Sequence, residues 1–369
     1  MGCLTSKNEQ QQAQPEPANY SWNNRENIDP CEYTIENVNS STVIKKPGSV
    51  NGKQFIVQNC QKSILCIFDY LDSATVDDCV DCTIFIGPTK GSIFLRNCSN
   101  CRIICASQQF RARDCKSLYL FLHCLTKPTI EACENIQVAC YSFFYSQLSD
   151  QFKLAGLTVF NNSWSQVYDF GGAEGTQNWS LLDPDIQPEE VFECLLNIKE
   201  PEISLDTVLS VVPRTLGVRT DQSIETGLVI FFPDGNREKR AKAYIREMAE
   251  KSYFDLLTQF QCSLVATKEF MMKEVEAMQI FKTDSYNSIV GRGPVIAIQH
   301  LGPDCIKKSH QAAKTIALET GSTGLVYVPS NPEIAMEQIK LIFNSIDLPQ
   351  EKFSSPTIAN KQEITESIE

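Results

Sequence analysis

The sequence predicts a multidomain β plus α/β chain, with a parallel β-helix in the first half and an α/β sandwich in the second. Three observations carry this. Cysteines recur about every 18 residues through the first half. The residues leading into them alternate apolar and polar in columns that keep phase from one repeat to the next. Beyond residue 224, short apolar runs alternate with amphipathic stretches of helical length. The 369 residues suit about two domains with tails. A formal charge of −12 argues against nucleic-acid binding as the main activity, because phosphate neutralisation needs a basic surface. No run of about 18 apolar residues predicts a transmembrane helix. The start, MGCLTSKNEQ, lacks the apolar core of an export signal, so a cytosolic, reduced chain is expected.

Residues 1–18 read as an acylated flexible tail. Met1-Gly2-x-x-x-Ser6 matches the pattern for N-myristoylation at Gly2, and Cys3 beside it is a candidate for palmitoylation. One acyl chain holds a membrane only marginally; two anchor it stably. The Gln-, Pro- and Glu-rich residues that follow suit a tether.

Residues 19–185 form the repeat domain. Of the 16 cysteines, 11 fall between Cys60 and Cys140, and Cys60, Cys79, Cys98, Cys115 and Cys133 are 19, 19, 17 and 18 residues apart. Each follows a short alternating run and a polar corner: FIVQNC, ATVDDC, IFLRNC, FRARDC, TIEAC. A coil of this length cannot bury its inner face alone, so the coils must stack. Phased on the repeated Cys, two columns are mostly apolar and predict an inward face. They are Val57, Val76, Leu95, Ala112, Ile130 and Phe55, Ala74, Ile93, Phe110, Pro128.

The outward columns separate two arginines. Gln58, Asp77, Arg96, Arg113 and Glu131 share one column, so Arg96 and Arg113 each have an acid one rung away and read as a surface charge ladder. Ile56, Thr75, Phe94, Arg111 and Thr129 share the other. Arg111 has no acid directly above or below it and borders Phe94, which leaves its guanidinium available to an external anion. The spacing Cys79-x-x-Cys82…Cys98-x-x-Cys101 also fits a four-cysteine zinc site. The pairs lie one repeat apart, however, and other coils carry Ser63, Leu118 and Ile136 at the second position. Stacked small residues at a corner is therefore the preferred reading, and no metal is expected.

Residues 186–223, with Gln187-Pro188-Glu189 and Glu200-Pro201-Glu202, read as a linker with some local structure. Residues 224–347 then alternate strand and helix. Strands are predicted at 227–232, 263–267, 293–298 and 324–328, and helices at 237–251, 268–281, 304–320 and 332–343. This order suggests a ferredoxin-like sandwich. Residues 348–369 read as a disordered tail.

At Gln108-Gln109-Phe110-Arg111-Ala112-Arg113-Asp114-Cys115 the chain resembles the Gln-Gln-x-Arg strand of the tubulin-cofactor-C domain family, in particular its membrane-anchored members. Supporting segments are Tyr20-Ser21-Trp22 with Asp29-Pro30, Ile86-Gly87-Pro88-x-Lys90-Gly91-Ser92, Lys127-Pro128-x-Ile130-Glu131, Phe160-Asn161-Asn162-x-Trp164 and Asn178-Trp179-Ser180. The resemblance implies a right-handed parallel β-helix. It also implies a GTPase-activating function toward an Arf-like small GTPase in its GTP state, of the ADP-ribosylation factor-like protein 3 type, in ciliary trafficking of lipidated cargo. Arg111 maps to the catalytic finger and Arg113 to a structural position. Gln108, Gln109, Glu131 and Phe170 are expected at the GTPase interface. GTP and Mg²⁺ would be held by the partner, so the chain needs no cofactor and no autonomous catalytic site of its own. The expected location is the cytoplasmic face of the plasma membrane, at the cilium or its base.

The second domain resembles the nucleoside diphosphate kinase fold, as in these family members. It lacks the Asn-x-x-His-Gly-Ser-Asp context that phosphotransfer needs. His300 and His310 are instead expected to be surface or half-buried residues of a non-catalytic interaction module. The competing reading of the whole chain is a membrane-anchored scaffold or tubulin-chaperone-like protein that binds without accelerating hydrolysis.

Overall fold

A computed structural model describes residues 30–172, 177–218, 225–254, 262–321 and 324–343. The acylation candidates Gly2 and Cys3 and the two predicted tails, 1–18 and 348–369, lie outside the described residues.

The first half is a parallel β-helix. Along one wall, Thr34–Glu36 pairs with Phe55–Gln58 and that strand with Ala74–Asp77. The far ends of Thr83–Arg96 and Arg102–Arg113 follow, then Thr129–Glu131 and Tyr168–Phe170, all in parallel register. A second wall runs from Thr42–Lys45 through Ile64–Ile67, the starts of those two long strands, Lys116–Cys124 and Glu134–Cys140, to Trp179–Leu181. Both predicted inward columns are buried, from Phe55 and Val57 at one end to Ile130 at the other.

The repeated cysteine marks a corner with a fixed construction. The residue before it has a left-handed backbone in every coil: Asn59, Asp78, Asn97, Asp114 and Ala132. So does the residue two after it: Lys62, Asp81, Asn100, Ser117 and Asn135. Asn and Asp tolerate that conformation better than other non-glycine residues, which explains their dominance before the Cys. Between the two bends the Cys side chain points inward, and its thiol donates to the carbonyl two residues earlier: Gln58, Asp77, Arg96, Arg113 and Glu131. Burial raises the thiols of Cys60, Cys105, Cys124 and Cys140 above the ordinary cysteine range. Cys79 and Cys101 are also raised, each first by a hydrogen bond with the Cys82 thiol; a bond with the Cys98 thiol comes next for Cys79, and burial adds to both. Cys82 of the same ladder is instead lowered, by hydrogen bonds from the Cys101 and Cys79 thiols. One glycine is required by close approach. A Cβ at Gly87 would lie 2.0 Å from the Asp69 carbonyl oxygen.

A second apolar layer covers the outside of the second wall. Phe68, Phe85, Phe143 and Tyr145 form an aromatic cluster there, with Phe85 and Phe143 stacked at 4.3 Å between ring centroids. Helix Leu148–Leu154 closes over it, burying Leu148 and Phe152. The stretch predicted as a linker continues this cover. It contains the short helix Pro188–Val191 and the 3₁₀ turn Glu193–Asn197, and it buries Phe192, Leu195, Leu205 and Val212.

Among the described residues, the second domain is built on a four-stranded antiparallel sheet. Its order is Ser263–Phe270, Val295–Leu301, Thr226–Phe231, Val326–Tyr327. With helices Arg237–Phe254 and Cys305–Glu319 following the first and third strands, this is the ferredoxin-like arrangement. Two expectations change. Residues 268–270, predicted as helix, extend the edge strand, because Lys268, Glu269 and Phe270 pair with Ala297, Ile296 and Val295. The helix begins at Glu274, where the Glu276 carboxylate accepts the Lys273 backbone N–H. His300 is not a surface or half-buried residue but 1% exposed, held between the sheet and Tyr244. Desolvation there lowers its pKa to about 3. His310 is exposed, with Nε2 2.9 Å from the Pro329 carbonyl oxygen.

The domains meet through Phe160-Asn161-Asn162-x-Trp164, and adjacent asparagines serve opposite sides. Asn161 closes on the second domain: its Oδ1 accepts the Glu269 N–H at 2.7 Å and its Nδ2 donates to the Glu269 carbonyl at 2.8 Å. Asn162 closes on the β-helix: its Oδ1 accepts the N–H groups of Cys124 and Trp164, and its Nδ2 donates to the Leu122 carbonyl. Thr267 Oγ1 donates to the Phe160 carbonyl at 2.8 Å, and the Thr158 hydroxyl bonds the Glu269 carboxylate. Among the described residues, no helix is long and apolar enough to cross a membrane.

Candidate functional site

Strand Arg102–Arg113 runs across both walls, and its last residues belong to the first. Phe110 and Ala112 point into the core while Arg111 and Arg113 are exposed, as the period of two requires. The register is the predicted one. Thr75, Phe94, Arg111 and Thr129 stand directly above one another, and so do Asp77, Arg96, Arg113 and Glu131.

The two columns differ in how their cations are held. Arg96 makes a two-point contact with Asp77, through Nε at 2.7 Å and Nη2 at 2.5 Å. Arg113 pairs with its chain neighbour Asp114 at 3.3 Å, rather than across the rung with Glu131 as the ladder reading expected. The turn residue has its carboxylate on the same edge, and that reach is shorter. Among the described residues Arg111 has no acidic partner. Its guanidinium carbon lies 5.9 Å from the centroid of the Phe94 ring on the neighbouring rung.

The other predicted residues fall around this point. Gln109 is half-buried, with Oε1 accepting the Ser92 hydroxyl at 3.4 Å. Gln108 is exposed, and its backbone is pinned because its carbonyl accepts Thr126 N–H, Thr126 Oγ1 and Cys124 Sγ. The glutamines therefore share the strand with Arg111, but these bonds lead away from its guanidinium. Glu131 is half-buried and in register with Arg113 on one side and Phe170 on the other.

Strand Tyr168–Phe170 adds a rung that the repeat did not reveal. Tyr168 pairs with Thr129 and so extends the Arg111 column; Phe170 extends the charged column. Both are more than half exposed, with ring centroids 6.4 Å apart. Phe170 was expected at this face, whereas Tyr168 had not been singled out. No repeated Cys follows this strand, so spacing does not give its register. The site is thus a guanidinium on a rigid strand, flanked by exposed aromatics, with the half-buried carboxylate of Glu131 close by. Such a surface can present a fixed positive charge to an anion bound by another macromolecule.

The coil construction and this exposed strand define a domain of the cofactor C type. The profile described as "Tubulin binding cofactor C" matches residues 52–170. The chain is 36% identical to Protein XRP2 of Homo sapiens over 359 residues, covering 94% of this chain and 99% of that one. The chain belongs to the XRP2 family. It is also 26% identical to Tubulin-specific chaperone C of Homo sapiens over 159 residues, 42% of this chain and 44% of that one. A solved nucleoside diphosphate kinase from Aquifex aeolicus matches 32% of this chain and 95% of its own length, at 20% identity and a TM-score of 0.26.

Proposed function

We propose that the chain is a GTPase-activating protein for an Arf-like small GTPase of the ADP-ribosylation factor-like protein 3 type, and that Arg111 is the arginine supplied in trans. The observation that carries this reading is the exposed Arg111 guanidinium without an acidic partner, on a wall where the neighbouring column's Arg96 and Arg113 are each paired with an acid. GTP hydrolysis spreads negative charge over the transferring phosphoryl group and the leaving oxygen. The GTPase supplies Mg²⁺, its P-loop lysine and a water-orienting glutamine; what it lacks is a further cation placed from outside. An arginine finger adds about 10³–10⁵ in rate, or roughly 4–7 kcal/mol. Guanidinium suits the task because it is planar, permanently charged and bidentate. A β-helix rung suits it because the backbone beneath is hydrogen-bonded on both sides and the charge arrives preorganised.

Glu131 would receive a basic residue of the GTPase or steer the guanidinium, and Gln108, Gln109 and Phe170 would form the surrounding contact. Acyl chains on Gly2 and Cys3 would hold the protein at the cytoplasmic membrane face, with ciliary cargo traffic as the setting. The second domain would act as an interaction module. The test is single-turnover GTP hydrolysis by the GTPase, with wild type and Arg111→Ala. Acceleration that vanishes in the variant while binding is retained supports the reading. Binding by the wild type without acceleration would instead favour the scaffold or tubulin-chaperone-like reading, which the match to Tubulin-specific chaperone C keeps in view.

A further inference from the structure

We propose that Phe94 is the positioning residue for Arg111: its ring is a neutral shelf that holds the finger outward and ready while leaving its charge uncompensated. This inference rests on Arg111 being the finger. Phe94 stands on the rung next to Arg111, in direct register, and the guanidinium lies over its ring at 5.9 Å. Phe94 is 38% exposed on an outward column, where its other neighbours are Thr75 and Arg111. A large apolar side chain at that position contributes little to the core, which Ile93 and Leu95 on either side already fill.

The adjacent column shows the alternative. There the equivalent neighbour of Arg96 is Asp77, whose two carboxylate oxygens accept from the Nε and Nη2 edge of the guanidinium. An arginine held that way must break two charge-assisted bonds before it can reach a phosphate. A ring face attracts the cation through its quadrupole, narrows the rotamers of a long side chain and leaves all five N–H donors unspent. The two outward columns thus use the same scaffold for opposite ends, one to neutralise an arginine and the other to present one.

The experiment is a variant series at Phe94, assayed for activation at saturating protein and for binding to the GTPase loaded with a non-hydrolysable GTP analogue. Phe94→Leu is expected to lower the saturated rate about 3- to 30-fold, the range of a partly to fully desolvated cation–π contact. Affinity is expected to change by less than about threefold. Phe94→Trp is expected to retain the rate. Phe94→Glu rebuilds the Asp77–Arg96 arrangement around Arg111 and is expected to fall below Phe94→Leu. A loss confined to affinity, or a Phe94→Leu protein with the wild-type rate, would overturn the proposal and make Phe94 an ordinary contact residue. A readout without the GTPase separates the two layers of the argument. The Arg111 δ-methylene protons should show an upfield ring-current shift that disappears in Phe94→Leu. Absence of that shift in the wild type refutes the shelf directly. Its presence in a wild-type protein that accelerates nothing refutes the finger and leaves the stack as surface packing.

Discussion

Replacing Asn162 with alanine should loosen the segment that carries Tyr168 and Phe170 and cost about 3 kcal/mol. The Asn162 amide makes four bonds to the β-helix and its own loop: Oδ1 accepts Cys124 N–H at 2.9 Å and Trp164 N–H at 3.2 Å, and Nδ2 donates to the Leu122 carbonyl at 3.1 Å and to Cys140 Sγ at 3.7 Å. Cys124 and Trp164 are 0% and 1% exposed, so their N–H groups have little access to water when the acceptor is removed. An unsatisfied buried donor costs about 1–3 kcal/mol. Two of them, partly relieved because Asn162 is itself half-buried, give about 3 kcal/mol. A two-domain chain need not unfold in one step, so the local readout matters most. Amide hydrogen exchange at residues 124 and 164 should lose protection in Asn162→Ala, alongside a lower urea midpoint followed by tryptophan fluorescence. Asn162→Asp keeps both acceptor contacts and should preserve protection at those two amides. Wild-type protection in the alanine variant would refute the reasoning, because it would mean the loop is held by packing alone.

Other expectations are as direct. Arg111→Lys should lose most of the rate acceleration, at least about tenfold, because an ammonium keeps the charge but not the bidentate fork; a lysine variant with the wild-type single-turnover rate would contradict the finger geometry. Asp77→Asn should shift stability by no more than about 1 kcal/mol, since Arg96 is well exposed and solvent screens the pair; a thermal midpoint lowered far beyond that would show the ladder to be structural. His123 and His300 are fully buried, and desolvation lowers each pKa to about 3. The unfolded chain therefore binds more protons than the folded one between about pH 6.5 and pH 3. Stability is complete above about pH 6.5 and falls as the pH drops, by about 2 kcal/mol per histidine at pH 5. Urea unfolding of wild type, His123→Leu and His300→Leu at pH 7 and 5 should show each variant losing part of that dependence; parallel pH profiles for all three would refute it.

Much of the β-helix could be read from order along the chain, because a stacked coil repeats its environment. A column of five residues at one phase meets the same surroundings five times, so the pattern of Val57, Val76, Leu95, Ala112 and Ile130 announces a buried face. The same regularity made the isolation of Arg111 visible, since its rung neighbours lie one period away in sequence. The strands and helices of the second domain were legible for a related reason, each being a local run whose period reports one buried side. The error at 268–270 arose where local periodicity and strand pairing disagreed, and pairing with Val295–Ala297 prevailed.

Whatever depended on contact between segments far apart in sequence was decided only by the tertiary structure. Asn161 and Asn162 are adjacent and chemically identical, yet one closes on Glu269 and the other on Leu122 and Cys124. His300 carries no local signal of burial; the packing of Tyr244 against the sheet excludes water from it. Tyr168 joins the Arg111 column because Tyr168–Phe170 adds to the edge of Thr129–Glu131, a register set by the intervening clasp rather than by a repeat. Sequence by itself determined the repeating walls and the unpaired arginine, because both follow from periodicity. The fold determined what surrounds that arginine, because closing a long loop onto a sheet edge is a choice that no local pattern encodes.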